Sequence, residues 1–430
     1  MMLTGRAALL ALLGALAVLV FRTGDTALVI DLAIVIAIIA DVLLAARIRS
    51  LLVTRSGDAK VHLGQSGTVT VTVVNQGKRR LRGMIRDAWR PSAGATPGRQ
   101  SATIMPGRRA MVTTTLTPER RGDIAAGAVT IRAAGPLGLA CRQANLTAPW
   151  TVRVLPPFLS RKHLPEKLAR LRELDGQHKS MIRGQGSEFD SLRPYVLGDD
   201  VRSIDWRSTA RRGDVLVRTW RPERDRRIVL VLDTGRGSAG RVGGITRLDA
   251  SMDAALLLTA LATKAGDRVD LIAADRRVRA RVVGAGRQEV LAAITGAMAL
   301  LEPDLIDPDI KLMAATVLGV ARQRCLVVLM TDLNPAAIEQ GLLPHIQLLS
   351  ARHKVLVAAV ADPKVAELAA ERGDATAVYN AAAAIQAQAG RAQVSAKLRR
   401  YGVDVVDAPP DRLPPALADA YLSLKAAGRL

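Results

Sequence analysis

The stretch Arg227-Ile228-Val229-Leu230-Val231-Leu232-Asp233-Thr234-Gly235 decides the fold. Five consecutive apolar residues ending in a carboxylate and a glycine read as a strand buried on both faces, since a half-exposed strand would alternate apolar with polar side chains. The same style recurs downstream at 269–273, 326–330, 355–360 and, more briefly, 403–406. Residues 278–283 alternate instead and read as an edge strand paired with the second run. Helical spacing fills the intervals at 248–264, 287–301, 309–322, 336–350, 382–400 and 412–427. Strand and helix in alternation predict a parallel sheet covered on both sides, a doubly wound, Rossmann-like α/β domain over 226–430.

In such a sheet ligands sit beyond the carboxyl ends of the strands, where the strand order reverses. Two runs end alike, Val231-Leu232-Asp233 and Met330-Thr331-Asp332. If those strands are neighbours, Asp233 and Asp332 face one crevice, and paired carboxylates with hydroxyls nearby suit a hard cation such as Mg²⁺. The loop Gly235-Arg236-Gly237-Ser238-Ala239-Gly240 matches G-x-G-x-x-G, a dinucleotide fingerprint. Its surroundings do not follow the fingerprint. Arg241-Val242-Gly243-Gly244 delays the helix, and the next strand reaches its acid at Asp275, well beyond the usual spacing of about 20 residues. The five histidines show no metal-protease spacing, and two cysteines, Cys141 and Cys325, exclude a disulfide-built scaffold.

Upstream, the chain changes character twice. Residues 7–21 and 26–46 are apolar apart from Asp31 and Asp41, with a four-residue link between them. The second run is about 31 Å long as a helix, enough to cross a bilayer core. Residues 1–50 are therefore expected to form a transmembrane hairpin. Arg6 on one flank and Arg47, Arg49 and Arg55 on the other place both termini and the main body in the cytoplasm, at the inner membrane. Asp31 and Asp41 are expected at the interface, near water and headgroups. Residues 51–157 alternate in short β-branched runs, as at Val69, Val71 and Val73, and read as a β-sandwich-like domain. This part carries much of the formal charge of +22, with fifteen Lys and Arg against four Asp and Glu in 51–150. Beside a membrane segment such an excess suits an anionic inner leaflet. With eleven aromatic residues in the whole chain, base-stacking surfaces are scarce and no nucleic acid is expected.

Residues 158–225 are expected to be a linker, and they hold the most distinctive motif. It runs Gly184-Gln185-Gly186-Ser187-Glu188-Phe189-Asp190-Ser191-Leu192-Arg193-Pro194-Tyr195, then Gly198-Asp199-Asp200-Val201-Arg202-Ser203-Ile204-Asp205-Trp206, then Thr209-Ala210-Arg211. This segment resembles the signature of the domain-of-unknown-function family numbered fifty-eight, bacterial proteins with a von Willebrand factor A-like domain that are often encoded beside MoxR-type AAA+ ATPases. The resemblance also takes in Arg120-Arg121-Gly122 and Gly135-Pro136-Leu137-Gly138-Leu139 and covers nearly the whole chain. It implies a von Willebrand A-like fold for 226–430 and a metal-ion-dependent adhesion site of the form D-x-S-x-S, with Asp233 first and Asp332 last. Gly235 and Gly237 stand where the serines belong, and Thr234 and Ser238 are one position out of register, so the implied site is degenerate. Asp304 and Asp307 are further oxygen donors within the domain.

Acids flanked by arginines stay ionised, which argues against general-acid chemistry in the signature. Asp199, Asp200, Arg202, Asp205, Trp206, Thr209 and Arg211 instead read as a partner-binding surface or as an internal clamp of mutually satisfied charges. The resemblance implies a membrane-anchored interaction module working with a MoxR-type AAA+ ATPase, and not an enzyme. The alternatives are a metal- or nucleotide-dependent enzyme using the Asp233/Asp332 crevice, and a basic nucleic-acid binder.

Overall fold

The apolar run at 228–232 lies inside a six-stranded sheet. In chain order its strands are β1 (Arg227–Asp233), β2 (Arg268–Ala274), β3 (Val278–Val282), β4 (Leu326–Met330), β5 (Lys354–Val360) and β6 (Asp404–Ala408). Their spatial order is 3-2-1-4-5-6. β3 runs antiparallel on one edge and every other pairing is parallel. The strands are apolar along their length because both faces are covered. Ile228, Leu230 and Leu232 pack with helices Arg247–Lys264, Val290–Met298 and Leu413–Ala426, while Val229 and Val231 pack with Ile310–Val320, Leu343–Ser350 and the end of Ala375–Arg400.

This computed structural model describes residues 2–21, 24–181, 188–221 and 226–430. The chain divides into two compact units, Met1–Pro157 and Phe158–Leu430. The second unit therefore begins well before β1. Residues 158–225, expected as a linker, open with a 3₁₀ turn, Leu159–His163, that leads into the helix Leu164–Met181, and Phe158, Leu164, Leu168, Leu171 and Leu174 pack into the core beneath the sheet. Two other helices differ from expectation. Ala375–Arg400 starts seven residues early because Asp374 caps it, accepting from the Ala377 N–H at 2.8 Å. The helix expected at 336–350 is broken by a π-turn over Ile338–Leu342.

The described residues of the first unit form three sheets. Met2–Leu3, Ala140–Leu146, Val129–Ala134, Leu81–Asp87 and Gln100–Ile104 form one, in that spatial order and antiparallel throughout. Leu51–Gly57, Gly67–Asn75 and Arg109–Leu116 form the second, and Lys60–His62, Thr151–Leu155 and Gly122–Ala125 the third. Val71 and Val73 from one sheet meet Leu81, Ile85, Ile131 and Ala133 from another in a shared core, as a sandwich requires. Arg55, counted above among the flanking charges, is buried instead. Its Nε and Nη2 both donate to Asp87 Oδ1, at 3.0 and 2.6 Å, and its guanidinium lies 5.8 Å from the Trp89 ring centre.

Two helices, Gly5–Phe21 and Gly24–Leu44, lie between the strand Met2–Leu3 and the other strands of these sheets. The stretch Ala27–Ser50, with mean hydropathy 2.8, is long and apolar enough to cross a membrane, whereas Gly5–Val20 is shorter. Asp41 departs from its expected interfacial place. It is fully buried, and its carboxylate accepts from the backbone N–H groups of Leu137, Leu139 and Ala140 at 2.7, 2.8 and 2.9 Å. The same turn binds the start of the chain, since the Thr4 hydroxyl donates to Gly138 O at 2.6 Å and Leu3 pairs with Ala140. A carboxylate that accepts three backbone donors is well compensated for its burial.

Candidate functional site

β1 and β4 are neighbours, with Leu232 opposite Met330, and the strand order reverses between them. The two carboxylates thus come together as their shared strand endings suggest. Asp233 is 2% exposed. Its Oδ1 accepts from the Gly235 N–H at 2.7 Å and its Oδ2 from the Thr331 hydroxyl at 2.6 Å. Burial pushes its pKa above the ordinary carboxylate range, against the lowering effect of those two bonds and with the help of nearby Asp332 and Asp275. Ser238 does not face a ligand position, because its hydroxyl donates to the Asp233 carbonyl at 2.6 Å.

Asp332 lies in a different electrostatic setting. Arg247 Nη1 donates to its Oδ2 at 3.0 Å, and Arg391 Nη1 to its Oδ1 at 2.8 Å. Arg391 also forks onto Asp407, at 3.1 and 2.7 Å. Burial would lower the Arg391 pKa, but Asp407 and Asp332 more than offset it and the net shift is upward. The other acids around the crevice are paired in the same manner. Asp304 and Asp275 take Arg279, and Asp307 takes Arg236 at 2.8 Å.

These residues do not fit a bound Mg²⁺. Both oxygens of Asp332 are held by guanidinium groups, Asp304 and Asp307 are in ion pairs, and glycines stand at the two serine positions. A side chain at Gly235 would place its Cβ 2.8 Å from the Ile306 carbonyl oxygen. Among the described residues no three His, Cys, Asp or Glu side chains gather into a group able to hold a metal. A dinucleotide fares no better. The loop after β1 forms one short helical turn, Arg236–Ala239, followed by the small hairpin of Arg241–Val242 and Ile245–Thr246 before the long helix begins. Cys325 is an inert thiol, pushed up to about 12 by burial.

The signature residues form an arm. Strands Glu188–Pro194 and Leu216–Arg221 pair as an antiparallel ribbon, and the chain between them carries a 3₁₀ turn, Val201–Ser203, and a helix, Trp206–Arg212. Gly184 to Ser187, the first part of the signature, lies outside the described residues. Three of the signature acids, Asp199, Asp200 and Asp205, have local tasks. Asp199 binds Arg193 with both oxygens and accepts from the Val196 N–H, which holds its pKa low. Asp200 caps the 3₁₀ turn through the Arg202 N–H. Asp205 caps the helix through the Ser208 N–H and binds Arg218 Nε at 2.8 Å; those two contacts hold its pKa low. The Thr209 hydroxyl accepts from the Leu216 N–H, tying helix to ribbon. These bonds close within the arm and leave Trp206, Arg202 and Arg211 exposed. Sequence reasoning missed the apolar residues among them: Leu197, Val196 and Val201 are exposed too. Their signal was an apolar tripeptide, Tyr195-Val196-Leu197, lying in a turn rather than in a strand.

Comparison with known proteins agrees with the signature. Residues 191–400 match the family described as Protein of unknown function DUF58. Uncharacterized proteins of Mycobacterium bovis and Mycobacterium tuberculosis are 29% identical to this chain over 232 residues, which is 50% of this chain and 72% of each relative. Among solved structures, the CARDB domain of a Pyrococcus furiosus protein is 17% identical over 24% of this chain and 94% of its own, with a TM-score of 0.19. The ASH / PapD-like domain of human CEP192 is 10% identical over 25% and 85%, with a TM-score of 0.18.

Proposed function

We propose, for this member of the DUF58 family, a membrane-anchored interaction module that offers the arm at 188–221 to a protein partner in the cytoplasm. The observation that carries this reading is the tip of the arm. Leu197 is 97% exposed and Trp206 65%, and Val196 and Val201 of the same short stretch of chain are exposed too. Large apolar side chains left exposed within one such stretch mark binding surfaces, and Trp is favoured where binding energy concentrates. The two internal Arg–Asp pairs and the helix cap set the arm's shape beforehand, so little ordering cost falls on association. Exposed Arg202, Arg207, Arg211 and Arg212 give the tip a positive rim suited to an acidic partner surface.

The family resemblance names a MoxR-type AAA+ ATPase as that partner. The apolar helices act as a transmembrane hairpin that holds the body at the inner face, with Arg6, Arg47 and Arg49 setting the orientation. The strand order with one antiparallel edge strand supports a von Willebrand A-like scaffold, and the arginine-filled crevice supports binding without metal and without turnover.

The test is co-purification of the ATPase with detergent-solubilised full chain, in Mg²⁺ and in EDTA. Wild type and Asp233→Asn are expected to retain the ATPase equally in both buffers. The double variant Leu197→Asp, Trp206→Ala is expected to lose it at least about tenfold, as removal of a central aromatic anchor does. Loss with EDTA would return binding to the crevice. Full recovery by the double variant would remove the arm from the account.

A further inference from the structure

The outward face of the five-stranded sheet in the first unit carries a group of side chains that neither the arm nor the crevice uses. Met84 lies opposite Arg132, Arg86 opposite Thr130, Thr130 opposite Asn145, and Arg132 opposite Gln143, so all six project from one side of three adjacent strands. With Arg99 they line a concavity of about 240 Å³. No carboxylate lines it. Three guanidinium groups around one hollow repel one another until an anion sits among them. The amides favour the same ligand. Arg132 Nε donates to Gln143 Oε1 at 2.6 Å and the Thr130 hydroxyl to Asn145 Oδ1 at 2.9 Å, which occupies the amide oxygens and leaves the NH₂ groups to donate. The result is a hollow rich in donors, with guanidinium forks that match phosphate oxygens.

We propose that this concavity binds phosphate, and that the phosphate belongs to the headgroup of an acidic phospholipid. The choice of lipid rests on the membrane-anchored reading above. Strand Ala140–Leu146 leaves directly from the turn that receives Asp41, and it pairs with Met2–Leu3 at the foot of the first apolar helix. At about 3.4 Å per residue, Gln143 and Asn145 lie about 10 and 17 Å along the strand from that junction. The hollow therefore lies about 10–17 Å along the strand from the point where the helices meet the body, and this proximity is the reason for naming an anionic leaflet as the source of the phosphate. Its lining contains no aromatic ring on which a base could stack, which favours a lipid over a nucleic acid.

The experiment titrates the full chain in neutral detergent with inorganic phosphate, with short-chain phosphatidylglycerol below its micelle concentration, with short-chain phosphatidylcholine, and with a short DNA duplex. Saturable binding of phosphatidylglycerol, tighter than that of phosphate or phosphatidylcholine, is expected. The double variant Arg86→Gln, Arg132→Gln should weaken it by at least about tenfold. Arg120→Gln, an exposed site in the same unit outside the hollow, should bind as wild type does, and matched thermal unfolding confirms that all variants are folded. No saturable binding by any probe, or equal binding by the double variant, overturns the proposal. Phosphate or duplex bound more tightly than phosphatidylglycerol, and lost in the double variant, upholds the anion site and overturns its assignment to lipid. Failure of the membrane reading registers separately. A chain recovered in the soluble fraction of cells refutes anchoring, while titration with inorganic phosphate still reads the hollow.

Discussion

Asp233 at the end of one strand and Asp332 just beyond its neighbour share a crevice, yet among the described residues Asp332 has two arginine partners and Asp233 has none. For Asp332 the guanidinium groups of Arg247 and Arg391 supply the positive charge that a metal would otherwise bring. Removing the carboxylate in Asp332→Ala takes from Arg247 its ion-pair partner and leaves Arg391 with Asp407 alone, in a half-buried place, at a cost of about 2 kcal/mol after allowance for solvent. Asp233 behaves in the opposite sense. Its folded pKa lies above the unfolded value of about 3.9, so the folded chain holds the extra proton between those two values. Its contribution to stability is present below the unfolded pKa and is lost as pH rises through the folded one. Asp233→Asn abolishes that loss and should stay within about 1 kcal/mol of wild type at neutral pH. Thermal unfolding of both variants between pH 4 and 8, with Mg²⁺ and with EDTA, checks this. A Tm that rises with Mg²⁺, or an Asp233→Asn variant as weak as Asp332→Ala, would refute the arginine-for-metal account. The sequence did show that two strands end in carboxylates. It did not show which cations meet them, because Arg247 and Arg391 reach the crevice from distant helices whose packing no local pattern encodes.

The turn Gly135–Ala140 performs the corresponding task between elements. It accepts the buried carboxylate of Asp41 from the second apolar helix and the Thr4 hydroxyl from the start of the first. Gly135 is required by this closeness, since a Cβ there would overlap the Asp41 carboxylate and main-chain oxygen. Gly138 is required by its φ of +70°. Gly135→Ala is therefore predicted to separate the helices from the sandwich, at about 1–3 kcal/mol for overpacking plus stranded backbone donors. Limited proteolysis in detergent should then cut residues 45–50 in the variant and spare them in wild type, and equal cutting would sink the assignment. Elements with strong periodicity, such as β1, β4 and the helix Arg247–Lys264, were legible almost to the residue. Asp41 was not. Hydropathy places an acid near the end of an apolar run at an interface, and only the folded turn, nearly 100 residues away, reveals three N–H groups waiting for it. The helix Leu164–Met181 was hidden for a related reason: its polar stretch masked the leucines that anchor it under the sheet.

At the scale of the whole molecule, the tie between helices and body constrains topology. Leu3 and Asp41 bind the same short segment, so the start of the first helix and the end of the second emerge together. If both helices cross a bilayer, the link near Asp25 must lie on the face opposite the sandwich. On the positive-inside rule, Arg6, Arg47 and Arg49 against Arg22 then predict that the sandwich side faces the cytoplasm, as the proposed function requires. Single cysteines test this cleanly, because the native Cys141 and Cys325 are buried and give little background. Asp25→Cys should react with an impermeant maleimide in intact spheroplasts. Ser66→Cys and Thr376→Cys, at exposed positions in the two units, should react only after permeabilisation. Labelling of residues 66 or 376 from outside would put the arm in the wrong compartment for a cytoplasmic ATPase and would end the adaptor reading with it. Failure of all three to label in intact spheroplasts, with Asp25→Cys reactive after permeabilisation, would mean that the helices lie along the inner surface without crossing it.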